Sequence, residues 1–278
     1  AAGGVGPPAG VPLDGPRLDG AWARGCAALG FVAWELGLAA HEPWAQGPLR
    51  WVLLPDEAFA DVPGAEGAGA LTVDAAEGDA LATPLGLMQD AAELDDTLVH
   101  ELVHVVQGRL VPGGNGIPWF VHEGMAVSAG ARYGRGLHGR ATGPVEGYLA
   151  DASAAEVAEA LARSGGEDLT GAVDGPKEAH GLSESAGGLF VEHLRLEFSG
   201  AQPRLLAAVS WAGAEGFGAA FSRAFGGLTV VQARDGLLRR VAGTEGDWAA
   251  RAAGAAFVPG VSPAGDGAPA GQWWGGVE

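Results

Sequence analysis

The stretch Leu94-Asp95-Asp96-Thr97-Leu98-Val99-His100-Glu101-Leu102-Val103-His104-Val105-Val106-Gln107-Gly108 decides how the rest of the chain is read. Leu98, Val99, Leu102, Val103, Val105 and Val106 recur at helical spacing and cover most of the circumference, which predicts a helix running through a core. Asp or Thr residues ahead of this run are N-cap candidates, and Gln107-Gly108 reads as the stop. Residues four apart share one helix face, so His100 and His104 can direct their imidazoles at one point. Among apolar neighbours two unpaired imidazoles would be costly, whereas two metal ligands would not. Glu101 adjoins the first His and can reach a water held on such a metal. This His-Glu-x-x-His turn supplies two nitrogen ligands and a proton-accepting carboxylate, the set that zinc-assisted hydrolysis needs.

A catalytic zinc takes three protein ligands and keeps one position for water. The next informative segment is Ile117-Pro118-Trp119-Phe120-Val121-His122-Glu123-Gly124-Met125-Ala126. Pro118 suits the first turn of a second helix, of which Trp119, Phe120, Val121, Met125 and Val127 are the apolar residues. The turn-rich residues from Val111 to Gly116 let the two helices fold back antiparallel. His122 and Glu123 are both candidate ligands, but helix neighbours point about 100° apart, so only one can face a metal. A three-His site of the His-Glu-x-x-His-x-x-Gly-x-x-His kind does not apply, because Gln107 stands in the Gly position and Leu110 in the last His position. Asp95 and Asp96 precede the ligand face and fit only capping or supporting roles.

The pentapeptide His100–His104, followed after 18 intervening residues by Glu123-Gly124-Met125-Ala126, resembles the gluzincin metallopeptidases, in particular the bacterial peptidase MA-like group. The resemblance implies that His100 and His104 are zinc ligands, Glu101 the general base and Glu123 the third ligand. It also implies that Gly124 and Ala126 are small residues where the two helices pack closely. The segment Ala186 to Leu194 and the short helices expected over 204–213, 216–225 and 229–241 are similar to the helices after the zinc-binding pair in that group. The likeness spans roughly residues 48–243, with its specific motifs confined to 94–126. The chain departs from the group's pattern at two places. Val127 stands where an acidic residue commonly supports a zinc-binding His, and the helix around Glu184 has no Tyr to stabilise an oxyanion. Candidates for that last role are His180 and Tyr148, Tyr133 being the only other Tyr.

Composition narrows the partners. A net charge of -18 and a pI near 4.6 argue against nucleic acid and anionic membranes. The most apolar N-terminal stretch, Trp22 to Ala40, is interrupted by Arg24 and Glu35 and reads as a globular helix, not a membrane span. The single cysteine, Cys26, excludes an intramolecular disulfide framework and a Cys-rich zinc site. A chain beginning Ala1-Ala2-Gly3 without Met, with no cysteine chemistry, fits an exported bacterial protein, periplasmic or secreted.

Along the chain, residues 1–18 read as a flexible Gly/Pro-rich arm, 19–252 as one domain and 253–278 as a Gly/Pro/Ala-rich tail. Within the domain a helix is expected around 19–41, followed by strands at Arg50 to Pro55, Ala70 to Ala75 and Leu81 to Gln89. The sheet-containing part extends to about 117, and helices dominate 118–252, including one from Ala154 to Arg163. His138 and His193 read as surface or helix-face histidines. The expected class is α+β: a zincin-like fold with a small mixed sheet packed on the His-Glu-x-x-His helix, then a mainly helical C-terminal part. The expected function is zinc-dependent hydrolysis of peptide or protein substrates with one catalytic Zn2+. Endopeptidase action is favoured, because no Gly-x-Met-x-Asn signature precedes the zinc helix. A non-catalytic zinc-binding domain on the same ligands stays open as the alternative.

Overall fold

Helices α1 (Gly15–Glu35), α3 (Ala91–Leu110) and α4 (Trp119–His138) enclose the larger core, into which Phe31, Val32, Leu98, Val99, Phe120 and Val121 all point. The computed structural model describes residues 15–38, 49–63, 65, 70–73, 79–110, 117–139, 153–166, 169–170 and 180–243. Between α1 and α3 lie β1 (Leu49–Leu54), α2 (Asp56–Ala60), β2 (Leu71–Val73) and β3 (Asp79–Pro84), then a 3-10 turn over Leu85–Gln89. After α4 come α5 (Ala154–Gly165), α6 (His180–Glu197), α7 (Ala201–Glu215), α8 (Phe217–Ala224) and α9 (Val230–Gly243). The architecture is mainly helical with a small mixed sheet, α+β in class.

The sheet has the order β1-β3-β2. β1 runs parallel to β3, pairing Leu49 with Asp79 through Leu54 with Pro84, while β2 is antiparallel to β3 with Leu71 opposite Ala82. Because successive strand residues face opposite sides, Leu81 of β3 joins the main core, while Ala82 joins a smaller cluster with Leu54, Phe59 and Ala65.

Element boundaries differ from the sequence expectations for identifiable reasons. α1 starts at Gly15, inside the expected arm, since Pro16 is tolerated in a first helical turn; it ends at Glu35, with left-handed Gly37 (φ 68°) just beyond. The strand expected to reach Gln89 stops at Pro84, where the Gly86 N–H donates to Asp56 Oδ1 (2.7 Å) and the chain turns. Helix α3 begins earlier than expected, because the Asp90 carboxylate accepts from the Ala92 and Glu93 N–H groups (2.9 and 3.2 Å). It also runs through Gly108 to Leu110, so the expected stop is passed. Asp95 and Asp96 are therefore buried helical residues, not caps. Of the strand expected over Ala70 to Ala75, Leu71–Val73 is seen and Asp74 and Ala75 lie outside the described residues.

Helix α4 packs against α3 on one side and α6 on the other. A buried ionic network stitches α1, α4 and α6 together. Glu35 pairs with Arg132 and, at 3.9 Å, with Arg195; Arg195 also reaches Glu192 (2.7 Å), which accepts from Ser128 Oγ (2.6 Å). Removing one member would leave a buried charge uncompensated, the situation in which buried ion pairs matter most.

His193 corrects a reading. It is buried between α6 and α9, where a Cβ on Gly236 would lie 2.8 Å from its Nε2. Burial, reinforced by nearby Arg240, pushes its imidazole down to about 4. His138, by contrast, is exposed at the end of α4, where its Nε2 meets Asp95 (2.8 Å). Since the unfolded chain protonates His193 near 6.5 and the folded chain only near 4, stability present above 6.5 is lost as pH falls through that window. Urea unfolding at pH 8 and pH 5 should show the wild-type losing about 2 kcal/mol more than His193→Gln. Equal losses in both proteins would exclude this assignment.

Candidate metal centre

The His-Glu-x-x-His turn lies in the second half of α3, and α4 crosses it so that its first turns face His100 and His104. His104 Nε2 is 3.1 Å from His100 Nε2, and Glu123 Oε2 is 3.4 Å from His100 Nε2 and 3.3 Å from His104 Nε2. Ligand atoms about 2.0–2.1 Å from a tetrahedral zinc are about 3.3–3.4 Å apart, so the triangle matches one face of such a coordination sphere. Among the described residues, this is the group of His, Cys, Asp and Glu side chains that could hold a metal ion. Glu123 is buried, while the side chains of His100 and His104 keep 22% and 11% of their surface exposed.

Electrostatics favour positive charge at this point. Burial disfavours charge on His104, but Glu123, aided by Glu101 and Gln107, outweighs it and pushes the imidazole up to about 9. His100 is raised too: burial opposes, and a hydrogen bond with Glu123 prevails. For Glu123 burial would raise the pKa, yet His104 and hydrogen bonds from His100, His104 and His122 hold the carboxyl well below its usual range. An ionised carboxylate between two imidazoles is a locus for a cation.

The surrounding contacts assign roles the sequence left open. Gln107 Oε1 lies 2.9 Å from His104 Nδ1, so it accepts that proton and leaves Nε2 as the nitrogen able to ligate a metal. Gln107 Nε2 in turn donates to the His122 carbonyl (3.1 Å), tying α3 to α4 beside the centre. This neutral amide is the partner of His104, whereas the resemblance implied an acid near Val127. Thr72 on β2 holds Glu101: its hydroxyl lies 2.8 Å from Glu101 Oε2 and 3.1 Å from the Glu101 carbonyl. His122 is not part of the triangle; its Nδ1 sits 3.3 Å from the other oxygen of Glu123, Oε1.

Two expectations change. Gly124 does not face α3: a Cβ there would come within 2.4 Å of the Gly187 backbone, so its smallness serves the contact between α4 and α6. The close approach of α3 and α4 falls instead at Gly130, where a Cβ would lie 2.7 Å from the Asp96 carbonyl oxygen. Asp95 gives no support to the centre, since it binds Arg24 (2.7 Å) and His138 (2.8 Å). Of the oxyanion candidates, Tyr148 lies outside the described residues, and His180 opens α6 with its side chain likewise outside them. Tyr133 is buried against Phe31 (ring centroids 4.9 Å apart), its phenol pushed up to about 12 by burial and by Asp95. Sequence reasoning missed Gln107 and Thr72. Gln107 carried a usable signal, one helical turn beyond His104; Thr72 carried none.

Comparison with known protein families, with curated proteins and with solved structures finds no match to this chain. Among the described residues no helix is long and apolar enough to cross a membrane.

Proposed function

We propose that this chain is a zinc-dependent metallopeptidase of gluzincin type with a zincin-like fold. The observation that carries the reading is the ligand triangle of His100, His104 and Glu123, with Glu101 on the same turn of α3. Zinc bound there would lower the pKa of a bound water towards about 7 and polarise a substrate carbonyl. Glu101 accepts the proton of the attacking water and passes it to the leaving amine. Thr72 orients that carboxylate through Oε2, and Gln107 keeps the His104 ring in the ligating tautomer.

The sheet supplies a place for a peptide or protein substrate. β2 is at one end of the strand order, and Thr72 brings that end against Glu101. A peptide added as a further strand along β2 would run its carbonyls past Glu101, with main-chain hydrogen bonds supplying affinity. Binding along a strand edge does not require a chain end, which favours endopeptidase action.

Zinc content of the purified protein and digestion of a peptide library, with and without chelator, test the reading together. Stoichiometric zinc and chelator-sensitive cleavage are expected. Should chelation unfold the protein while no peptide is ever cleaved, the centre is structural and the domain non-catalytic. Gln107→Met, similar in bulk but without polar atoms for His104 and the His122 carbonyl, is expected to weaken zinc binding about 10- to 100-fold. Competition against a chromophoric chelator measures this, and unchanged affinity would remove Gln107 from the supporting set.

A further inference from the structure

We propose that His122 is a positioning residue that keeps Glu123 a one-oxygen ligand by holding Oε1 away from the metal. The inference rests on the metal-centre reading above. Both ligand imidazoles approach the same atom, Glu123 Oε2, at 3.3 and 3.4 Å. The other oxygen, Oε1, lies 3.3 Å from His122 Nδ1. An ionised carboxylate only accepts hydrogen bonds, so Nδ1 is the donor.

The ring of His122 is braced to do this. It lies nearly parallel to His104, with centroids 4.3 Å apart and planes inclined by 13°, and also stacks with Trp119 at 5.7 Å and 21°. Its backbone carbonyl is held by Gln107 Nε2. Swinging the ring off Oε1 would break the stack with His104. The consequence is chemical. Carboxylates ligate metals through one oxygen or both. With Oε1 engaged, the three side chains would contribute three donor atoms to a bound zinc and leave a position for water, as catalytic zinc sites do. A two-oxygen Glu123 would fill that position from the protein.

Cobalt(II) substitution reads coordination number directly, because four-coordinate cobalt absorbs visible light far more strongly than five- or six-coordinate cobalt. His122→Phe keeps a ring for the stack but has no N–H; His122→Asn can place an amide N–H near the position of Nδ1. The wild-type is expected to show the intense four-coordinate spectrum, His122→Phe to lose that intensity, and His122→Asn to recover it. Zinc-to-chain stoichiometry is measured alongside to confirm loading. An intense spectrum in His122→Phe overturns the proposal, as does an equal loss in both variants. A wild-type that binds neither cobalt nor zinc overturns the metal-centre reading itself, an outcome distinct from failure of the His122 assignment alone. Should His122→Phe fail to fold, His122→Asn decides: four-coordinate intensity upholds the proposal, and its loss overturns it.

Discussion

Replacing Glu101 by Gln is expected to leave zinc bound and to reduce peptide hydrolysis by about 10^3-fold or more. The atoms that could hold the metal belong to His100, His104 and Glu123, and none is removed. The Gln oxygen can still accept from Thr72 Oγ, which sits 2.8 Å from Glu101 Oε2 in the wild-type, so the turn of α3 has no cause to move. What disappears is a group able to take a proton from water and return it to an amine. Positioned acid–base groups contribute about 10^2- to 10^4-fold, and the upper part of this range applies where one carboxylate serves both transfers. Zinc content and single-peptide turnover, measured on the same preparation, form the test. Unchanged turnover would sink the assignment of Glu101, and loss of zinc would show that the substitution had disturbed the ligands instead.

Gly187→Ala is expected to be among the most destabilising single substitutions in the chain, at about 3 kcal/mol or more. The new Cβ would lie 2.1 Å from the Phe120 carbonyl oxygen and 3.1 Å from the Gly124 Cα. These are backbone atoms, so no side chain can swing aside, and α4 and α6 must separate. Because Gly124 adjoins Glu123, that separation would also displace the proposed third ligand, and weaker zinc binding is expected with the lost stability. Gly30→Ala provides the contrast. Gly30 lies exposed within α1 with nothing within 4 Å of an added Cβ, so the helix-propensity gain of about 1 kcal/mol should make it neutral or stabilising. Urea denaturation of both variants decides. Similar behaviour of the two would mean that the contact between α4 and α6 is looser than the Gly124–Gly187 approach indicates.

Much of the site was legible because its chemistry is local. Four-residue spacing on one helix places His100 and His104 together whatever the rest of the fold does, and Glu101 rides on the same turn. Helices were likewise legible from apolar spacing: the helix expected from Ala154 to Arg163 is found over Ala154–Gly165, and that expected around 204–213 over Ala201–Glu215. Boundaries were less so, since a cap depends on which competing side chain reaches the free N–H groups. Asp90 takes them at the start of α3, and the later Asp95 and Asp96 do not. His193 looked like one more helix-face histidine, because nothing in its neighbours announces Gly236, some forty residues on, closing over its ring.

The sequence by itself determined the helix that carries the two imidazoles, the residue types able to bind a metal and move a proton, and the strongly acidic character of the chain. Only the tertiary structure decided which oxygen of Glu123 meets both imidazoles, that Thr72 holds Glu101, and that Gln107 and His122 reach His104 and Glu123. It also turned Gly124 towards α6 and buried Glu35 beside Arg132, residues 97 apart in the chain. The physical reason is range. Helical periodicity is written within four residues, whereas a hydrogen bond or close backbone contact between distant segments exists only once packing has brought them together.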